Sequence, residues 1–137
     1  MGPIIATVTR EEWLLKRTFD GSRTDPVELA AHAGPDRPSV SVVIPALNVA
    51  STVGAICAAI RESWMGPDGL VDELVVIDSA STDTTAAVAA RFGAQVVQDT
   101  EVLPSMGRGR GKGEAMWKSL AATTGDIVVW IDGDIRD

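Results

Sequence analysis

The sequence predicts an α/β domain in which a parallel sheet, with strand order 3-2-1-4, is sandwiched by helices. Short apolar runs alternate with helical patterns of about ten residues, which is typical of βαβ units. The runs Val-Val-Ile and Ile-Val-Val-Trp-Ile contain no polar residue, as expected for strands that are covered on both faces. Right-handed crossovers and one reversal of direction then give the order 3-2-1-4.

The first part of the chain, residues 1–38, is expected to form a helical preface to a domain at residues 39–137. Thr9 followed by two glutamates is typical of a helix start, and the apolar residues after it can be buried. Asp25-Pro26 begins a second predicted helix, which ends near Gly34.

The domain itself is predicted to alternate strands with helices. The predicted strands are Val40–Ile44, Leu74–Ile77, Gln95–Val97 and Ile127–Ile131. Between them lie a helix with Val53, Ile56, Cys57, Ile60 and Trp64 on one face, an Ala-rich helix ending at Phe92 and a helix over about 113–123. Pro45 is expected to close the first strand. Ser51 is expected to cap the first helix of the domain, and Ser81 or Asp83 the second.

Composition limits the classes of function. The 137 residues suit one domain, and 45% of them are hydrophobic. The net charge of −7 argues against a nucleic-acid partner. Cys57 and His32 are the only residues of their types, so the chain can form neither an internal disulfide nor a zinc site from soft ligands.

Residues 38–60 carry no charge and are numerous enough to span a bilayer. Their Ser, Thr and Asn residues and a central Pro would be unfavourable in hydrocarbon, so the segment is interpreted as a strand followed by a helix. The first residues, Met1 to Arg10, lack the basic and apolar regions of a signal peptide. We therefore expect a cytoplasmic protein without a membrane partner.

Polar clusters follow three of the predicted strands: Pro45–Asn48, Asp78-Ser79 and Asp132-Gly-Asp134. Ligands of open parallel sheets bind beyond the carboxyl ends of the strands, so these clusters are expected to converge. Two carboxylates at a strand end suit Mg²⁺ or Mn²⁺, which prefer oxygen ligands. The alternative for the last cluster is an Asp-Gly hairpin turn, which convergence with the other clusters disfavours.

Two common nucleotide-binding motifs do not fit the sequence. A G-x-G-x-x-G motif would follow the first strand, but no glycine occurs there before Gly54. The loop Gly107–Gly113 has a glycine at every second position, and Met106 and Gly113 break the G-x-x-x-x-G-K-[ST] pattern. Neither a nicotinamide dehydrogenase nor a P-loop ATPase is expected.

A strand-end Asp-x-Asp preceded by a flexible basic loop suits a nucleoside diphosphate bound through a metal. The chain resembles the N-terminal half of GT-A-fold glycosyltransferases, more narrowly the actinobacterial glucosyl-3-phosphoglycerate synthases. The resemblance rests on four blocks in the same order: Ser41–Asn48, Val71–Asp83, Gly111–Trp117 and Ser119–Asp134. It implies a Rossmann-like GT-A nucleotide-sugar-binding domain, expected to be truncated after the Asp-x-Asp strand and to lack the acceptor half.

The resemblance implies a metal-dependent retaining glucosyltransferase that uses UDP-glucose or another nucleoside-diphosphate glucose and 3-phosphoglycerate. The nucleotide-sugar site would comprise Pro45, Ala46, Leu47, Val49, Ser79, Lys112, Asp132 and Gly133, and Asp134 would ligate Mg²⁺ or Mn²⁺. Within this set, Pro45–Leu47 would line the uridine pocket and Lys112 would reach the phosphates. Asp132 would contact the ribose or metal-bound water. No catalytic residue is assigned.

The chain departs from the family pattern at Val49, where the family has a glutamate that helps to hold the nucleoside. Losing one charged hydrogen bond weakens binding by about 1.5–3 kcal/mol. An inactive fragment or a nucleotide-binding module without turnover is therefore a second hypothesis. A nucleotidyltransferase is disfavoured because it should show a G-x-G-x-R loop after the first strand. Assembly into a homo-oligomer is left open.

Several residues near the site have simpler interpretations. Glu114 is expected to be a first-turn acid favoured by the helix dipole. Trp117 and Trp130 are expected in the core. Arg108 and Arg110 either contact phosphate or belong to a solvated loop.

Overall fold

The computed structural model of the chain describes residues 8–107, 109 and 111–136. The helices are α1 (Arg10–Arg17), α2 (Pro26–Ala33), α3 (Val53–Trp64), α4 (Thr85–Arg91) and α5 (Lys112–Ala122). The strands are β1 (Val40–Ala46), β2 (Glu73–Asp78), β3 (Gln95–Gln98) and β4 (Ile127–Trp130). Short 3-10 turns lie at Gly21–Arg23 and Pro104–Met106.

The four strands form one parallel sheet in the order β3-β2-β1-β4, which confirms the predicted order. Val43 of β1 lies between Val75 of β2 and Trp130 of β4. From β1 the chain adds β2 and β3 on one side of the sheet and then returns to place β4 on the other side, so the carboxyl ends of β1 and β4 form the expected switch point.

Helices cover both faces of the sheet, and two hydrophobic clusters result. On one face Val42, Ile44 and Val76 pack with Cys57 of α3 and Ala89 of α4. On the other face a smaller cluster of Val43, Val75, Ile77 and Ala115 joins the sheet to α5. Cys57 is fully buried in the first of these clusters, and burial raises the pKa of its thiol.

The first strand does not close at Pro45 but continues to Ala46. The backbone groups of alternate residues on a parallel strand face opposite neighbours. Ser39 and Val43 accept hydrogen bonds from Ile127 and Ile131 on the β4 side. Because Pro45 is two residues after Val43, its backbone also faces the β4 side. It lies beyond the last residue that pairs with β4, so its missing N–H removes no hydrogen bond of the sheet.

The predicted caps of α1 and α2 are confirmed, and that of α3 is wrong; of the two candidates for α4, only Asp83 bonds to the helix start. Thr9 and Glu12 form a capping box, and the Asp25 side chain accepts from Val27 N. The N-cap positions of α3 and α4 are held by Thr52 and Thr84, and neither side chain caps its helix. Ser81 bonds to the loop after β1, whereas Asp83 Oδ1 accepts from the backbone N of Thr85, the first residue of α4, at 2.9 Å.

The helices before the sheet bury none of their residues within the described part of the chain. Trp13, Leu15 and Phe19 are 57%, 86% and 81% exposed. The apolar residues of α1 therefore add nothing to the two clusters of the sheet. The division of the chain at residue 38 stays a prediction.

The prediction of a β4 buried on both faces is wrong. Ile127, Val129 and Trp130 are 45%, 40% and 39% exposed, because β4 is an edge strand that α5 only partly covers. Trp117 is 38% exposed, so neither tryptophan lies in the core. The Trp130 Nε1–H donates to Ser119 Oγ at 3.0 Å, which orients the ring across α5.

Residues 38–60 contain β1 and the larger part of α3, which confirms the predicted strand followed by a helix. Among the described helices, none combines the length and the apolar character needed to cross a bilayer.

Candidate functional site

A cavity of about 510 Å³ opens beyond the carboxyl ends of β1 and β4. The structure brings all of the predicted site residues to its wall: Pro45, Ala46, Leu47, Val49, Ser79, Lys112, Asp132, Gly133 and Asp134. Their convergence agrees with the position expected for a ligand of an open parallel sheet. Their roles in binding stay predictions.

The loop after β1 owes its shape to the loop after β2. Asn48 has a φ of 55°, and its Oδ1 accepts from Thr82 N at 2.8 Å. Asn48 N donates to Ser81 Oγ at 2.9 Å, and Val49 N donates to Thr85 Oγ1 at 2.8 Å. Ser81 and Thr85 therefore hold the backbone that presents Pro45–Val49 to the cavity.

Asp78 and Ser79, at the end of β2, lie in different surroundings. Asp78 is buried, with one carboxylate oxygen accepting from Ser81 and the other from Gln98 Nε2 at 2.9 Å. Both oxygens are thus used within the protein, and Asp78 is a structural residue. Ser79 lies at the cavity wall instead.

The turn after β4 is packed closely against β1. A Cβ added to Gly133 would lie 3.2 Å from Ile44 Cγ2 and from Val49 Cγ2. The Gly133 carbonyl accepts a buried hydrogen bond of 2.6 Å from Thr52 Oγ1 at the start of α3. Any larger residue at this position would displace Ile44 and Val49 slightly. The two aspartates on either side of Gly133 are exposed.

The hairpin interpretation of Asp132-Gly133 is wrong. β4 pairs in parallel with β1, and the described residues after Trp130 contain no returning strand. The Asp-Gly-Asp sequence therefore ends a strand at the cavity rather than joining two antiparallel strands.

Lys112 and Asp132 form an ion pair across the cavity. Their side chains are 54% and 51% exposed, so solvent screens the pair and it contributes little to stability. Lys112 is also the first residue of α5, whose amino end favours an anion. This side of the cavity can therefore receive a phosphate group.

The carboxylates at the strand end have the chemistry of a site for a hard cation. The Asp134 side chain makes no hydrogen bond or ion pair with another described residue. Across the part of the chain that the structure describes, no three His, Cys, Asp or Glu residues cluster as metal ligands. A divalent cation here would take one or two carboxylates, with phosphate and water supplying the remaining oxygens, an arrangement that Mg²⁺ accepts.

The cavity also involves residues that were not predicted as part of the site, namely Asp99, Gly109 and Gly111. They belong to the loop that precedes α5. The glycines at every second position before and after Lys112 could have indicated that this loop lines the cavity, since close approach of the backbone to a ligand favours glycine. Arg108 and Arg110 lie outside the described residues, and both of their interpretations stay open.

Fold and site together define an open parallel α/β domain with a cleft suited to a phosphate-bearing ligand and a divalent cation. The model of the family described as glycosyl transferase family 2 matches residues 41–136. The chain therefore belongs to glycosyl transferase family 2.

Named relatives agree with this assignment. Glucosyl-3-phosphoglycerate synthase of Mycolicibacterium smegmatis is 45% identical over 126 residues, which are 91% of this chain and 40% of the relative. The crystal structure of mannosyl-3-phosphoglycerate synthase from Rubrobacter xylanophilus is 41% identical, with a TM-score of 0.80 over 93% of this chain and 40% of that one.

A third comparison is a crystal structure of Mycobacterium tuberculosis glucosyl-3-phosphoglycerate synthase in complex with Mn²⁺, UDP and glucosyl-3-phosphoglycerate. It is 45% identical, with a TM-score of 0.73, and covers 85% of this chain and 40% of that one. The chain thus spans about two fifths of the length of these relatives. The GT-A fold predicted from the sequence is confirmed over the region that matches.

Proposed function

We propose that the chain is the donor-binding part of a metal-dependent retaining glucosyltransferase that transfers glucose from UDP-glucose to 3-phosphoglycerate. The observation that carries the proposal is the lining of the cavity. Lys112 and the turn with Asp132 and Asp134 form one side, and the backbone and apolar groups of residues 45–49 form another. The names of the two glucosyl-3-phosphoglycerate synthases support the choice of glucose, and the names of all three relatives support 3-phosphoglycerate as the acceptor.

Asp134 would ligate Mg²⁺ or Mn²⁺, because it is an exposed oxygen donor at the end of β4, and Asp132 would contact the ribose or metal-bound water. When bound, such a cation stabilises negative charge on a departing diphosphate. The Mn²⁺ and UDP in the relative's complex support a divalent metal in this chain.

The other roles fall to residues of this chain. Lys112 and the amino end of α5 would bind the diphosphate, so that positive charge is in place before charge develops on the leaving group. Pro45–Leu47 would hold the base, and Ser79 would contact the nucleoside. Together they would orient the donor, which lowers the entropic barrier to transfer.

Calorimetric titration with UDP tests this proposal. We expect removal of Mg²⁺ or Mn²⁺ by a chelator, or the substitution Asp134→Ala, to weaken UDP binding at least about tenfold, a loss of about 1.4 kcal/mol. Asp68→Ala is the matched control, because Asp68 is exposed and lines a different cavity. Equal UDP affinity with and without metal would refute the assignment.

One observation favours a second candidate, a nucleotide-binding module without turnover. Lys112 is the single cationic side chain that the described residues contribute to the cavity, and it is assigned to the donor. A phosphorylated acceptor such as 3-phosphoglycerate needs further positive charge. The nucleotidyltransferase hypothesis finds no support, since the matching family model is that of glycosyl transferases.

A further inference from the structure

Lys118 is a buried lysine outside the cavity wall. The residue is 1% exposed, although it lies in the middle of α5. Its Nζ forms an ion pair with Glu114 Oε1 at 3.0 Å and donates to the Asp99 carbonyl oxygen at 2.9 Å. The Gly107 carbonyl oxygen lies 3.5 Å away and provides a third acceptor. Burying an ammonium is unfavourable unless it is paired, and these acceptors match its three N–H groups.

Glu114 binds the same loop from the other side. Its Oε1 accepts from Gly109 N at 3.0 Å, and its Oε2 accepts from Trp117 Nε1 at 2.7 Å. The Trp117 indole, then the Gly109 amide and the Lys118 ammonium, hold the pKa of Glu114 below its usual value. A Cβ on Gly109 would overlap Glu114 Oε2, so the loop approaches this carboxylate as closely as a glycine allows.

These contacts fasten the loop to α5 at three points along its length: Asp99, Gly107 and Gly109. Asp99 and Gly109 line the cavity, whereas neither Lys118 nor Glu114 does. The pair therefore acts on the cavity only through the loop that it holds.

We propose that Glu114 and Lys118 are positioning residues. By holding Asp99, Gly107 and Gly109, they place the backbone before α5 and Lys112 so that these groups form the diphosphate-binding side of the cleft. The inference rests on the proposed function and deepens it. The diphosphate side depends on the pair, whereas the base side depends on the loops after β1 and β2, which the pair does not contact.

Lys118→Met tests the proposal, because methionine keeps the length and apolar stem of the side chain but removes the charge. UDP and uridine binding are measured by calorimetry with Mn²⁺ present. We expect at least about tenfold weaker UDP binding, corresponding to about 1.4 kcal/mol, with little change for uridine. Lys118→Arg should recover part of the UDP affinity, since a guanidinium again donates to carbonyl and carboxylate oxygens. Lys16→Met in exposed α1 is the matched control.

Glu114→Gln is a second variant, which keeps the shape and one acceptor of the side chain while removing its charge. It should reproduce the selective loss for UDP, and it keeps the test decisive if Lys118→Met does not fold. Equal losses for UDP and uridine in a folded variant, or no loss for UDP, would overturn the proposal.

Hydrogen exchange of the chain without nucleotide separates the two proposals. If the pair holds the loop, Lys118→Met should speed exchange in peptides covering 99–111 and leave peptides of β1 and β2 unchanged. Unchanged exchange in the loop would refute the positioning role. A wild-type chain that protects this loop but does not bind UDP would instead refute the proposed function.

Discussion

At the scale of single residues, the charged groups of the cleft differ in how they are already engaged. Lys112 and Asp132 are paired with each other, while Asp134 has no partner among the described residues. The exposed pair is weak, so its opening opposes ligand binding only slightly. Asp134 is consequently the carboxylate that is available to a cation without breaking a contact, in keeping with its assignment as the metal ligand.

The role of Lys112 leads to a prediction about ligand selectivity. If Lys112 reaches the diphosphate, Lys112→Ala should weaken UDP binding about tenfold or more, near 1.4 kcal/mol, and change uridine binding little. Calorimetry with both ligands measures this difference, and Lys16→Ala serves as the control for removal of a lysine. Arg108→Ala should have a smaller effect, because Arg108 precedes α5 in the sequence, whereas Lys112 is the first residue of that helix.

Similar losses for UDP and uridine after Lys112→Ala would mean that Lys112 supports the structure of the site and does not contact phosphate.

At the scale of elements, the loops at the carboxyl edge are held mainly by bonds between loops. Thr85 of α4 fixes the backbone after β1, and Thr52 before α3 fixes the turn after β4. Ser81 and Asp83 were predicted as helix caps, but both side chains also bond to the loop after β1. Ser81 Oγ accepts from Asn48 N, and Asp83 Oδ2 accepts from Ala50 N. Local propensity cannot reveal a partner more than thirty positions away.

The bond from Thr52 to Gly133 leads to a prediction about stability. Thr52→Val keeps the shape of the side chain but leaves the buried Gly133 carbonyl without this donor. We expect a loss of about 1–3 kcal/mol in the free energy of unfolding, measured by urea denaturation. Thr84→Val is the matched control, because Thr84 is exposed and its side chain caps no helix. Equal unfolding free energies for the two variants would show that the hydrogen bond carries no stability.

At the scale of the whole molecule, the cavity has the groups proposed to bind a donor but few that could bind a phosphorylated acceptor. The chain spans about two fifths of the relatives' length, and the cavity has one described cationic side chain. β4 and the outer face of α5 expose apolar side chains, among them Val129, Trp130 and Leu120. Such a surface is typical of one that other elements cover.

This arrangement predicts binding without turnover. The 137-residue chain should bind UDP but transfer no measurable glucose to 3-phosphoglycerate, since catalysis requires the acceptor hydroxyl to be held against the donor. A coupled assay for UDP release from UDP-glucose measures turnover, and the same reaction without 3-phosphoglycerate is the blank. Acceptor-dependent release above the blank would place the acceptor site within this chain and exclude the module hypothesis.

The sequence by itself determined the order of the elements, the parallel sheet and most of the residues that surround the cleft. Apolar runs, helical spacing and polar clusters after strands are local patterns, and the topology of a parallel sheet then brings the strand ends together. The convergence of Pro45–Leu47, Ser79 and Asp132–Asp134 at one cavity could therefore be anticipated, whereas Val49 and Lys112 were added by the resemblance to a known family.

Only the tertiary structure decided which side chains are buried and which distant groups they bond. Lys118 looks like a solvated helix residue in the sequence, although its spacing of four from Glu114 suggests an ion pair. Its burial depends on the path of the loop 99–107 over α5, and the exposure of Trp117 and Trp130 depends on β4 lying at the sheet edge. Burial and pairing are set by neighbours that are remote in sequence, and for that reason periodicity and local propensity could not determine them.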